Sequence, residues 1–222
     1  MDKPFSFNTL KNRQRAIRDA FPEGLGLRTH RALSWLNRAE TEAKDLDAQF
    51  IFLWISFNAA YAQQRAQGEK FSDRKHALRF VHQLIDADDE CLLYNALWDE
   101  FPKAIRLLMD NPYVFQAFWD YKSGLINADS WLSKFDFSKK SINKALGQRN
   151  TVRVLAILLE RLYVLRNQLI HGGATWNGGV NRDQLRDAVK IMARIVPITI
   201  HLMMENKDVN WGSPFYPVIK SV

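Results

Sequence analysis

Three residue types suited to phosphate chemistry fall within six positions: Arg166, Asn167 and His171, in the run RNQLIH. An imidazole can move a proton near neutral pH, a guanidinium can hold anionic oxygens, and an amide can orient either one. Advancing about 100° per residue from Leu155 places Leu155, Leu158, Leu159, Leu162, Tyr163, Leu165, Leu169 and Ile170 on one apolar arc of roughly 160°, with Arg166 near its middle. A guanidinium aimed into such a face is costly unless it is paired or lines a cavity or a subunit interface. Asn167 and His171 fall on the polar face with Glu160 and Arg153, and their i, i+4 spacing lets the amide touch and orient the imidazole. Glu160 is a candidate supporting residue.

A helix over about Asn150–His171, stopped by Gly172 and Gly173, must position these groups. The loop that follows, GGATWNGGVN, has four glycines, which points to left-handed backbone or the close approach of another surface. A last helix over Arg182–Glu205 is expected to bend or break near Pro197. It carries Arg182, Arg186, Lys190 and Arg194 every four residues. That stripe could track a phosphate backbone, and a solvated face explains it equally well.

Upstream, helical periodicity has little competition, because glycine and proline are scarce and β-branched residues do not alternate. The chain therefore reads as all-α. Helices are expected at about Asn8–Ala20 with Asn8 as cap, Thr29–Ala43, Leu46–Gln67, Ser72–Asp86, Asp88–Met109 with a disturbance at Pro102, and Pro112–Tyr121. The third is apolar nearly all round in its first half, as a central helix is. Its Asn58 needs a hydrogen-bond partner if buried and could brace the motif helix. Residues 122–147 read as a less regular, mostly helical insert, and residues 207–222 as an extended tail docked on the bundle. Without a compositional break, residues 1–222 are expected to form one domain.

The run RLYVLRNQLIHGGATWNGGVNRDQLRDA, with the upstream LWISFNAAYA and the tail WGSPFYPV, resembles bacterial HEPN domains across most of the chain. RNQLIH is similar to their motif of arginine, polar residue, spacer and histidine. The resemblance implies a HEPN-like helical bundle with additional helices that usually dimerises, setting two motifs across one cleft. It often accompanies metal-independent endoribonuclease activity in toxin-like, defence or stress roles, with an antitoxin or regulatory protein as a further partner. His171 would then serve as base toward the RNA 2′-hydroxyl or as acid toward the leaving 5′-oxygen. Arg166 would stabilise charge on the phosphate, and Asn167 would hold the ring tautomer or bind phosphate. The resemblance equally fits a non-catalytic module that binds RNA, a nucleotide or a protein. Ala174 departs from the subgroup encoded beside nucleotidyltransferases, which often has tyrosine there.

Net charge of +7 favours polyanionic partners. One cysteine, Cys91, allows no intrachain disulfide and is expected to be a buried thiol in a reducing compartment. The N-terminal run lacks the charged-then-apolar order of a secretory signal, and no apolar stretch is long enough to span a bilayer, so a cytoplasmic protein without membrane contact is expected. Neither zinc-ligand spacing nor a phosphate-binding loop is present, so no metal or cofactor is expected. The acidic run Asp86, Asp88, Asp89 and Glu90 reads as the opening of a helix, and the seven tryptophans mostly fall at core spacing. For the motif itself, the competing account is an interhelix salt bridge with a capping histidine.

Overall fold

The computed structural model describes residues 5–62, 73–179 and 181–216, and among these the chain forms ten α-helices and no strand. They are α1 (Phe7–Ile17), α2 (Glu23–Thr41), α3 (Leu46–Tyr61), α4 (Asp73–Asp86), α5 (Leu92–Asn95), α6 (Pro102–Asp110), α7 (Gln116–Lys122), α8 (Ala128–Gly147), α9 (Thr151–Ile170) and α10 (Arg182–Glu205). The helices group into two compact units. The first takes both ends of the chain, up to Leu92 and from Met192, and the second is Leu93–Ile191. No linker composition announces this division, because the first unit is completed by the far end of the chain.

In the first unit, α3 runs back along α2. Ser56 Oγ donates to the Ala32 carbonyl (2.7 Å), and Arg28 Nη1 donates to the Ala60 carbonyl (2.6 Å). The α3 residues Phe50, Leu53, Trp54, Phe57 and Ala60 are buried, as the continuous apolar pattern requires. The helix ends at Tyr61, and the expected continuation to Gln67 lies outside the described residues.

Three details differ from expectation here. The cap of α1 is Ser6, whose hydroxyl accepts from the Thr9 amide (3.3 Å), rather than Asn8. Helix α2 begins at Glu23 rather than near Thr29, so Gly24 and Gly26 lie inside it. A helical glycine costs about 1 kcal/mol relative to alanine, and burial of Leu25, Leu33 and Leu36 along the same helix outweighs it. Cys91 is exposed, at φ 56°, in the turn where its amide donates to the Asp88 carbonyl (3.0 Å). The Asp88 carboxylate meanwhile accepts from the Leu92 amide (2.8 Å) at the start of α5.

The tail is tied down as far as Phe215, whose amide donates to the Ala62 carbonyl (3.4 Å), and residues beyond 216 lie outside the described residues. Trp211 is buried against the edge of Phe80 (5.9 Å) and donates to the Asn206 carbonyl (3.0 Å). Arg28 Nη2 reaches the Ser213 carbonyl (2.9 Å), so one buried cation ties the tail to α2 and to the end of α3. Pro197 lies within α10 without ending it.

In the second unit, the helix expected over Asp88–Met109 is divided. Helix α5 passes into a π-helical segment, Ala96–Glu100, closed by the Phe101 amide on the Ala96 carbonyl (3.2 Å). Pro102 then opens α6, where its missing N–H breaks no helical bond. Most of the stretch read as less regular is the 20-residue helix α8, capped by Asn127. Only Ile142 and Ala145 of it are fully buried, with Trp131 and Phe135 half-buried on the same helix.

Candidate functional site at the end of α9

Helix α9 starts at the cap Asn150, whose side chain accepts from the Arg153 amide (2.9 Å), and ends at His171. The end is a Schellman turn: the Gly173 amide reaches the Gln168 carbonyl (2.7 Å) and the Gly172 amide the Leu169 carbonyl (3.3 Å). Gly172 sits at φ +69°, a left-handed position that suits glycine. A Cβ on Gly173 would lie 3.2 Å from the Gln168 carbonyl oxygen, so the second glycine answers a close approach. The turn leaves His171 exposed while its amide stays bonded to the Asn167 carbonyl (3.0 Å).

Arg166 is half-buried. Its Nη1 donates to Asn167 Oδ1 (3.0 Å), its guanidinium carbon lies 6.0 Å from the Tyr163 ring centre, and its Nε is buried with no hydrogen-bond partner. The Asn167 side chain expected to orient the imidazole instead gives its oxygen to the guanidinium, and its link to His171 runs through the backbone. The reason lies in how α9 is covered. Helices α6 and α8 and the turn Pro112–Val114 pack on it, burying Val154, Ile157, Arg161 and Val164. The buried face is thus rotated by roughly 70° from the apolar arc of the sequence. Tyr163 and Ile170, expected in the core, are 50% and 45% exposed. Arg166 sits at the margin between covered and uncovered surface.

Gln168, a motif residue that sequence reasoning passed over, is the mechanical centre of this end. Its Nε2 donates to the Tyr113 carbonyl (2.6 Å), and its Oε1 accepts from Asn181 Nδ2 (3.0 Å). Helix, preceding turn and glycine loop are thereby joined. Amide side chains at both ends of the loop were the available signal for the Asn181 bond, whereas nothing in the sequence announces Tyr113.

Arg161 was also missed. It is buried, with its guanidinium carbon 4.3 Å and 5.9 Å from the Phe115 and Phe135 ring centres, and it donates to Ser138 Oγ (2.9 Å). Burial pushes its pKa down to about 10, opposed by the charges of Glu160 and Asp110, which leaves it a cation at neutral pH. Glu160, the expected support residue, is exposed and acts electrostatically on this arginine.

The basic stripe of α10 is partly engaged locally. Arg182 donates to Asn177 (2.8 Å), Arg186 pairs with Asp183 (2.6 Å), and Lys190 is exposed. Arg194 belongs to the first unit, where it lies 5.3 Å from the Phe5 ring centre. Asn58 is also in the first unit, half-buried, with its carbonyl accepting from the Ala62 amide (2.7 Å). Only Trp54 and Trp211 of the seven tryptophans are buried, fewer than core spacing led one to expect.

The end of α9 thus presents a guanidinium held by a neutral amide and an imidazole open to solvent. Among the described residues, no group of three histidine, cysteine or acidic side chains gathers as metal ligands do, and no helix is long and apolar enough to cross a membrane. Compared with models of protein families, with curated proteins and with solved structures, the chain matches none of them.

Proposed function

We propose that this chain is a HEPN-type endoribonuclease that cleaves RNA without a metal and works as a homodimer in a toxin-like, defence or stress role. The observation that carries the reading is the state of Arg166, a half-buried guanidinium bonded to a neutral amide at the helix end that also carries the exposed His171. No described carboxylate pairs with it, and unlike the fully buried Arg28 and Arg161, which also lack a carboxylate partner, it is part-exposed where a phosphate can reach it.

The helix end explains the division of labour. The C-terminal dipole repels a bare phosphate, so a cation must hold the anion while the histidine moves protons. In the reaction, the 2′-oxygen attacks phosphorus and the P–O5′ bond breaks. The 2′-hydroxyl proton passes to a base, and an acid protonates the departing 5′-oxygen, leaving a 2′,3′-cyclic phosphate and a 5′-hydroxyl. His171 takes one of these proton transfers, and Arg166 holds the phosphate oxygens as charge builds on them. A second copy would supply a second imidazole. The exposed Tyr163 and Ile170, beside Arg166 on α9, offer an apolar seam for it.

The alternative of a non-catalytic binding module draws on one observation: the Asn167 oxygen faces Arg166, so this amide oxygen does not fix the imidazole. One experiment separates the two. Purified protein is incubated with RNA and with matched DNA in chelator, and wild type is compared with His171→Ala and Arg166→Ala. The nuclease reading expects cleavage of RNA only, ending in cyclic phosphate and lost in both variants. RNA retained without cleavage supports the module as an RNA binder, and absence of any RNA interaction defeats the nuclease and leaves the module only a nucleotide or a protein to bind.

A further inference from the structure

We propose that Trp176 and Tyr113 are base-stacking positions flanking the motif, each taking one unstacked nucleobase of the RNA strand whose phosphate Arg166 holds. This rests on the RNA reading above and adds to it the residues that grip the substrate's bases.

Trp176 is 75% exposed at the tip of the turn Thr175–Gly178, closed by the Gly178 amide on the Thr175 carbonyl (3.0 Å). The turn is braced: Asn177 holds φ 54° and accepts from Arg182 Nη2, and the loop's two ends return to Gln168 through Gly173 and Asn181. A Cβ on Gly178 would meet Thr175 Oγ1 at 2.6 Å, so the turn closes tightly on itself. A large indole is thus displayed to solvent on an anchored frame five positions after His171.

Tyr113, 48% exposed, stands at the other anchor of Gln168. Its carbonyl accepts from both Gln168 Nε2 (2.6 Å) and Trp119 Nε1 (2.8 Å), its amide donates to Asn111 Oδ1 (2.8 Å), and Phe118 backs its ring edge-on at 5.2 Å. Every bond that fixes this residue uses its backbone, so the ring is positioned without being consumed.

Rigid, partly exposed rings beside cations are how proteins hold unpaired bases, because each base has a π-face while the phosphates need positive charge. Charge is in place here, with the Arg182 guanidinium on the residue next to Trp176 and Arg166 on the same helix end. The seam formed by Tyr163 and Ile170 is the part that suits a second copy. Trp176 and Tyr113 are instead tethered through Gln168, amid amides and cations.

The test measures fluorescence anisotropy of two labelled strands of equal length, oligoadenylate and an abasic ribose-phosphate chain, on His171→Ala protein, which prevents cleavage. Trp176→Ala and Tyr113→Ala should each weaken oligoadenylate binding about tenfold and leave the abasic strand unchanged. Trp176→Phe and Tyr113→Phe should bind like the parent, and Arg166→Ala should weaken both strands alike. Equal affinity of the parent for the two strands, or alanine variants that bind oligoadenylate as the parent does, would overturn the stacking role while leaving the RNA reading intact. Failure of both strands to bind would overturn the RNA reading with it. If Trp176→Ala instead disrupts self-association by light scattering without touching RNA affinity, the ring is a protein contact and the proposal fails.

Discussion

Arg166 Nη1 donates to Asn167 Oδ1 across 3.0 Å, and the acceptor is uncharged. The bond steers the guanidinium without neutralising it. Exchanging that amide for a carboxylate should therefore damage function more than deleting it. Asn167→Asp is expected to lower RNA affinity and cleavage about tenfold or more and to reduce the salt dependence of binding by about one phosphate contact. Asn167→Ala should have a smaller effect. Equal losses in the two variants, read from binding titrations at several salt concentrations, would show that charge at Arg166 is not the determinant.

Gly172 occupies a left-handed backbone position with open space around it, so only backbone conformation resists a side chain there. Gly172→Ala is expected to cost about 1–2 kcal/mol in urea unfolding. Gly172→Asn should cost less, since asparagine visits this region more readily. Because the turn sets where His171 sits, cleavage should fall in the same order.

The buried Arg161 guanidinium lies against Phe115 and Phe135 and bonds Ser138. Its Nε is buried and unpartnered. Truncation and isosteric replacement should then diverge. Arg161→Ala leaves a cavity and is expected to destabilise the fold by about 2–4 kcal/mol. Arg161→Met fills the space without burying a charge and should be neutral or stabilising. Denaturant midpoints for the pair decide it, and equal destabilisation would mean that the cation itself holds α8 to α9.

In the first unit, a hydrogen bond from Arg13 holds the Glu205 carboxyl below the usual carboxylate range, helped by the charges of Arg13 and His201 against the opposing effect of burial. A carboxyl whose folded pKa is depressed adds stability that is present above its unfolded pKa of about 4.3 and lost as pH falls through the folded value. Melting temperatures of wild type and Glu205→Gln should therefore differ at pH 6 and converge as pH drops below about 4. The pair is partly exposed, so the gap should be small and should shrink further in high salt. A difference that persists at pH 3 would assign the effect to packing instead.

The all-α class, the Asn150 and His171 ends of α9, the extent of α10 and the glycine stop were determined by local sequence. Caps, left-handed glycines and helical period act within a few residues and need no partner. Local signals also marked Arg166, Asn167 and His171 as a group. They misplaced the covered face of α9, because an apolar arc states which residues can be buried and only neighbouring helices decide which are. Tyr163 and Ile170 came out exposed while Arg161 went inside.

Tertiary structure alone set the meeting of Gln168 with Tyr113 and the cage around Arg161. It also joined the two chain ends in one unit through Arg28, Ala60 and Ser213. Most of these contacts join residues more than a helix apart in sequence. Their energies depend on which surfaces exclude water together, and no local pattern of residues encodes that.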